Sequence, residues 1–130
     1  MTKIEKMKVE EIRNLIKTNR RFTVAAILRI FEKQTSQEQA SQMTVEDNGV
    51  GFSGRDAEFG SSLAKQILAW IRNKQNNIPN RYDFPLSDRQ VQYAQRFMAK
   101  YAGQIFRFGF SDNSPISRIW EEVQKEQMAA

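Results

Sequence analysis

The chain contains neither cysteine nor histidine. Disulfides, thiol nucleophiles and zinc-finger sites are thereby excluded, and so is imidazole acid–base chemistry. A serine nucleophile has no histidine base to activate it. No apolar run approaches the roughly 18 residues that a membrane-spanning helix needs. The first residues, MTKIEKMKVEE, are charged throughout and lack the apolar centre of a secretory signal. These absences lead us to expect a cytoplasmic protein that makes no use of a membrane, although a lack of cysteine fits any compartment.

What is present describes a folded domain. Of 130 residues, 40% are hydrophobic and 27% charged, enough to bury a core in a single domain spanning residues 1–130. The net charge of +5 is concentrated in one region. Residues 65–107 carry eight basic side chains against two acidic ones, whereas residues 1–64 are nearly balanced and residues 108–130 are net acidic. A localised positive charge favours a binding footprint over general solubility.

The periodicity predicts an all-α fold, a compact bundle of about five helices with one Gly-rich structured loop. Residues 2–19 space Ile4, Val9, Ile12, Leu15 and Ile16 at helical intervals. Residues 22–40 hold Val24, Ile27, Leu28 and Phe31, the apolar side of a central helix. Residues 43–54, with Asn48-Gly49 as a turn signal, read as an ordered loop. Ser53 is placed to cap the next helix, with Asp56 at its third position, and that helix aligns Phe59, Leu63, Ile67, Trp70 and Ile71. Residues 76–85 form a polar linker. Pro115 opens a last short helix carrying Ile116, Ile119 and Trp120.

Between Ser87 and Arg107 the sequence predicts a helix with one apolar and one basic face. Its start is specified twice, by a Ser87/Gln90 capping box and a Leu86/Val91 hydrophobic staple. At about 100° per residue, Arg89, Arg96, Lys100 and Arg107 fall within about 40° of one another. Val91, Ala94, Phe97, Met98, Tyr101, Ala102 and Ile105 lie opposite, Gly103 weakens the helix late, and Gly109 ends it. The basic row is the candidate phosphate contact. Tyr93, at its edge, is a candidate for stacking on unpaired bases. Lys65, Arg72 and Lys74 extend the surface if the two helices pack antiparallel. Phe52 is expected to anchor the Gly-rich loop, and Phe106, Phe108 and Phe110 to form a packing corner.

The block Asn48-Gly49-Val50-Gly51, with Asn14 upstream and Gly60-Ser61-Ser62-Leu63-Ala64 downstream, resembles the nucleotide-binding boxes of histidine-kinase and gyrase ATPases. That reading is set aside: the ATPase fold needs a mixed sheet where residues 14–47 read as helix, and the spacing leaves no room for an ATP lid. A second resemblance covers more of the chain. The words Phe31-Glu32-x-Gln34-Thr35, Gly49-x-Gly51-Phe52-x-x-x-Asp56, Phe59-Gly60-x-Ser62-Leu63-Ala64, Leu86-Ser87-x-x-Gln90 and Lys100-Tyr101-x-x-Gln104 occur in that order. Over about residues 25–108 the chain resembles a small helical module of phage and mobile-element proteins. That module is often fused to, or encoded near, superfamily-two helicases and other DNA-processing enzymes. The resemblance implies a DNA-transaction context and no defined catalytic role.

Glu46, Asp47, Asp56 and Glu58 form the one dense acidic group, but no lysine-bearing nuclease signature accompanies them. We therefore expect no catalytic residues, metal or cofactor. The expected function is a non-enzymatic nucleic-acid-binding accessory protein, serving a helicase or a larger nucleic-acid-guided complex through backbone contacts. The alternative is a protein–protein adaptor or inhibitor from a mobile element. On the sequence alone, DNA or RNA, strandedness, oligomeric state and the role of the loop at residues 47–54 stay open.

Overall fold

The structure is a computed structural model that describes residues 1–41 and 51–129, with residues 36–41 described as backbone only. Among the described residues the fold is all-α, with no strand. The expected turn at Asn48-Gly49 and the acidic residues Glu46 and Asp47 lie outside the described residues.

Helix α1 (Lys3–Thr18) opens with a capping box in which Thr2 and Glu5 satisfy each other's backbone N–H. One residue, Asn19, joins it to α2 (Arg20–Ser41). The Asn19 backbone N–H closes on Leu15, its side chain accepts from the Phe22 N–H, and Thr23 Oγ1 donates 2.7 Å to the Ile16 carbonyl. Such a tight corner holds the end of α1 close to α2. Phe22, Thr23, Ala25, Ala26, Ile27, Leu28, Arg29 and Ile30 are all buried. A helix buried on all sides is a central one, and α2 accordingly packs against α1, α3 (Ala57–Gln75), α4 (Asp88–Met98), α5 (Ala102–Phe108) and α6 (Pro115–Ala129).

The start of α3 differs from expectation. Ser53, expected to cap it, lies three residues too early: Asp56 and not Ser53 is the N-cap residue, and it makes no side-chain bond to the helix. Its carboxylate instead accepts from the Tyr101 hydroxyl at 2.6 Å and pairs with Lys100 at 2.5 Å. These distant partners outcompete a local cap. From there α3 buries Gly60, Leu63, Ala64 and Ile67.

The connection from α3 to α4 is pinned to α3 along its length. Trp70 Nε1 donates to the Tyr82 carbonyl, Asn80 donates to the Trp70 carbonyl, and Asn73 donates to the Asn80 side chain, each at 3.0 Å. Asn77 takes a left-handed φ of 57° in this turn, which Asn tolerates better than most residues. Gln66 bonds Gln90 while Phe59 meets Tyr93, so α3 and α4 run antiparallel. The Ser87/Gln90 capping box is present, with bonds of 2.9 and 3.1 Å.

The helix expected to run unbroken from Ser87 to Arg107 is interrupted by a 3-10 turn, Ala99–Tyr101. It falls where Met98, Ala99, Tyr101 and Ala102 are all buried and Tyr101 reaches the segment before α3. Gly103 sits inside α5 and does not break it. Gly109, with φ of 76°, ends α5 as expected. Phe106, Phe108 and Phe110 pack half-buried against the core, and Phe110 stacks on Trp120 with ring centroids 4.5 Å apart. Pro115 is the first residue of α6.

Candidate nucleic-acid interface

The outer face of α4 presents Arg89, Tyr93 and Arg96 at i, i+4 and i+7, all outside the core. Asp88, the acidic residue of this helix, turns to Arg20 at 3.2 Å. Neither Arg89 nor Arg96 forms an ion pair among the described residues. On one flank of Arg96 lies a shallow groove of about 310 Å³ lined by Lys17, Gln92, Gln95 and Arg96. Two cations from different helices thus flank a space with amide side chains beside it. Gln95 is held by a bond to Thr23 Oγ1 at 3.3 Å.

On the other flank stands an aromatic ladder. Phe52, 8% exposed, packs against Phe97 and Tyr101 at centroid distances of 6.4 and 5.6 Å. Phe97 in turn meets Phe59 at 5.7 Å and Tyr93 at 5.9 Å. Phe59 and Tyr93 contact each other edge to face at 4.8 Å. The ladder therefore rises from the core to a surface where Phe59 is 39% and Tyr93 55% exposed. Phe52 anchors its segment in the core as expected, whereas Phe59, expected on the core face of α3, reaches the surface.

A polar node supports the base of the ladder. Gln104 both donates to and accepts from Gly51, Gln34 accepts from the Phe52 N–H, and the Tyr101 hydroxyl accepts from the Ser53 N–H. Gly51 is required here, because its φ is 91° and a Cβ would lie 2.6 Å from Gln34 Cβ. Burial on its own would raise the Asp56 carboxyl, but the bonds from Lys100 and Tyr101 outweigh it and hold the group below its ordinary value. The same contact raises the Lys100 amine, while burial first and Asp56 second raise the Tyr101 hydroxyl. Gln34, Gly51, Phe52, Asp56, Gly60, Lys100, Tyr101 and Gln104, scattered over four separate words of the sequence, meet in this one place.

The expected row of four cations is therefore not continuous. Lys100 sits in the 3-10 turn with its charge committed to Asp56. Three residues at about 120° instead of 100° rotate the later side chains by about 60° around the axis, so Arg107, exposed in α5, departs from the line of Arg89 and Arg96. Lys65 and Arg72 are exposed, and α3 does run antiparallel to α4. Yet they lie about 120–140° round α3 from the row of Phe59, Gln66 and Trp70 that faces α4 and its approach. Lys74 places its amine 5.0 Å over the Trp70 ring. Lys74 thus stands about 160–180° round α3 from Lys65 and Arg72, and the three do not form one surface.

Lys17 and Phe59 join the site without having been singled out from the sequence. Lys17 has no linear signal, because only the one-residue corner at Asn19 brings the end of α1 beside α4. Phe59 has one: it stands near the start of α3, where a helical face begins to leave the core.

Among the described residues no cluster of three or more carboxylates could hold a metal ion, and no helix is long and apolar enough to cross a membrane. Comparison with protein-family models, curated proteins and solved structures gives no match.

Proposed function

We propose that this protein is a non-enzymatic nucleic-acid-binding accessory protein that holds the sugar–phosphate backbone without reading sequence. The observation that carries this reading is the pair of guanidinium groups, Arg89 and Arg96, that form no ion pair among the described residues, with Lys17 across the groove from Arg96. Arginine forks suit phosphate oxygens, and the neighbouring Gln92 and Gln95 amides offer neutral donors. Two guanidinium groups spaced along a short, exposed α4 face suit contacts to successive phosphates. The resemblance to a phage and mobile-element module supports a role in DNA transactions, beside a helicase or within a nucleic-acid-guided complex.

The test is fluorescence anisotropy with short labelled oligonucleotides across a salt titration. Removing two phosphate contacts with Arg89→Ala/Arg96→Ala should flatten the slope of log K against log salt by about 1.4–1.8. No binding at low salt, or an unchanged slope, would overturn the reading.

A second reading is favoured by a different observation. On α1, Ile4 and Met7 are 67% and 63% exposed between Lys3, Lys6 and Lys8. An adaptor would dock an acidic protein partner there. It would show no binding to naked nucleic acid at physiological salt, and Ile4→Asp would abolish capture of the partner.

A further inference from the structure

We propose that Tyr93, braced by Phe59, is a stacking platform for an unpaired nucleobase, so that the ligand of this interface is single-stranded nucleic acid. This rests on the backbone-binding reading above and adds the strand class to it.

Two large aromatic side chains lie next to each other at the surface, 39% and 55% exposed. Single exposed apolar residues are ordinary. Here the pair is contiguous, and it is the outer end of a ladder that continues inward through Phe97 to Phe52. The Tyr93 hydroxyl makes no hydrogen bond among the described residues, so the ring is not placed there to position its oxygen. What fixes it is ring contact: Phe59 at 4.8 Å and 72°, and Phe97 at 5.9 Å and 52°. A platform already held in one orientation loses little freedom on binding.

The surrounding charge selects the ligand. Tyr93 stands four residues after Arg89 and three before Arg96, so all three share one face of α4. A strand whose phosphates meet the arginines brings its bases to the tyrosine. Only an unpaired base can lie on that ring, because a duplex keeps its bases stacked on each other. Stacking tolerates any base, which agrees with the backbone-binding reading.

The experiment compares three fluorescein-labelled probes: dT12, an abasic 12-mer with the same phosphates, and a 12-base-pair duplex. The wild-type protein should bind dT12 at least about tenfold more tightly than the abasic strand, within the range of one base–aromatic stack. Tyr93→Leu should lose that preference while keeping both its affinity for the abasic strand and its salt slope. Tyr93→Phe should retain the preference, which separates a role for the ring from a loss of fold. An rU12 probe completes the set. A preference of either dT12 or rU12 over the abasic strand supports the platform, and the tighter of the two names the sugar. Equal binding of dT12, rU12 and the abasic strand would overturn this inference and leave the backbone reading standing, as would an equal loss by Tyr93→Leu on all probes. No binding to any probe at low salt would remove both.

Discussion

Lys100 Nζ lies 2.5 Å from Asp56 Oδ2, and this contact withdraws one cation from the basic face of the α4 region. The pair is not deeply buried: the Lys100 side chain is 53% exposed and that of Asp56 13%. It is nonetheless organised, because Asp56 also accepts from Tyr101 at 2.6 Å and from Ser53 at 3.3 Å. Replacing Asp56 by Asn keeps an acceptor for the Tyr101 hydroxyl and removes the charge that neutralises Lys100. Asp56→Asn should therefore tighten nucleic-acid binding and steepen its salt slope by up to about 0.7–0.9, the share of one added phosphate contact. Arg96→Ala should move the slope the opposite way by a similar amount. Anisotropy at four or five salt concentrations separates the two, and an Asp56→Asn protein with an unchanged or flatter slope would show that Lys100 does not face the strand.

The start of α4 positions Arg89, and it depends on the Ser87/Gln90 box. Ser87→Ala removes the acceptor for the Gln90 N–H at 3.1 Å. A lost N-cap of this type costs about 1 kcal/mol. The expected result is a lowered denaturation midpoint by urea melting, accompanied by weaker nucleic-acid binding because the first turn carrying Arg89 frays. Ser87→Asp should restore both, since aspartate caps as well as serine.

The features readable from the sequence are those set by neighbours in the chain. Ser87 and Gln90 are three residues apart, the staple of Leu86 and Val91 lies within the same turn, and Gly109 ends α5 through its own backbone freedom. The apolar periodicity of residues 22–40 likewise announced a central helix, and α2 is one. What the sequence hid depends on contacts across long separations. Tyr101 and Asp56 are 45 residues apart, and their bond, with that of Lys100, makes Asp56 a counter-ion where the sequence placed it in the first turn of a helix capped by Ser53. The 3-10 turn at Ala99–Tyr101 arises from that inward reach and from burial, while the residues themselves read as ordinary helix. Lys17 enters the site only through the Asn19 corner. Half of the basic row, Arg89 and Arg96, could be read because it lies on one uninterrupted stretch of α4.

Arg29 and Asp112 tie α6 to the central helix, and they make stability depend on pH. The Arg29 side chain is 3% exposed and meets Asp112 at 2.5 and 2.9 Å, with Ser114, Ser117 and the Gly109 carbonyl as further acceptors. The guanidinium first, and the Ser114 and Ser117 hydroxyls next, hold the Asp112 carboxyl well below the usual carboxylate range. A carboxyl whose pKa is depressed in the folded state contributes stability above its unfolded value of about 3.9. That contribution is complete above about pH 5 and is lost progressively as the pH falls further. Urea melts should show the wild-type protein losing stability below about pH 5. Asp112→Asn should be less stable at pH 7 by about 2–3 kcal/mol, because it leaves a buried guanidinium without its counter-charge. The figure stays at the low end because the Asp112 side chain is 49% exposed. Its stability should also fall less steeply in acid. An Asp112→Asn protein with the wild-type pH profile would show that other carboxylates dominate.

Two glycines in helices should respond to alanine with opposite signs. Helix propensity alone favours alanine over glycine by about 1 kcal/mol at either position. At Gly103 in α5, an added Cβ meets nothing within 4 Å, so Gly103→Ala should stabilise the protein by about 0.5–1 kcal/mol. At Gly60 in α3, the same Cβ would lie 2.8 Å from three atoms of the Phe52 ring. That ring is enclosed by Phe97 and Tyr101 and is 8% exposed, so it cannot swing away as a surface side chain would. Overpacking of this kind costs about 1–3 kcal/mol, which outweighs the gain in propensity. Gly60→Ala should therefore lower stability in thermal or urea melts. Because Phe52 supports Phe97, and Phe97 supports Phe59 and Tyr93, the substitution should also disturb the aromatic surface. The double variant Gly60→Ala/Phe52→Leu removes the clash by replacing the ring with a smaller side chain. Recovery of stability beyond the sum of the single effects would establish that the glycine is needed for this close approach, whereas simple additivity would remove the contact as its reason.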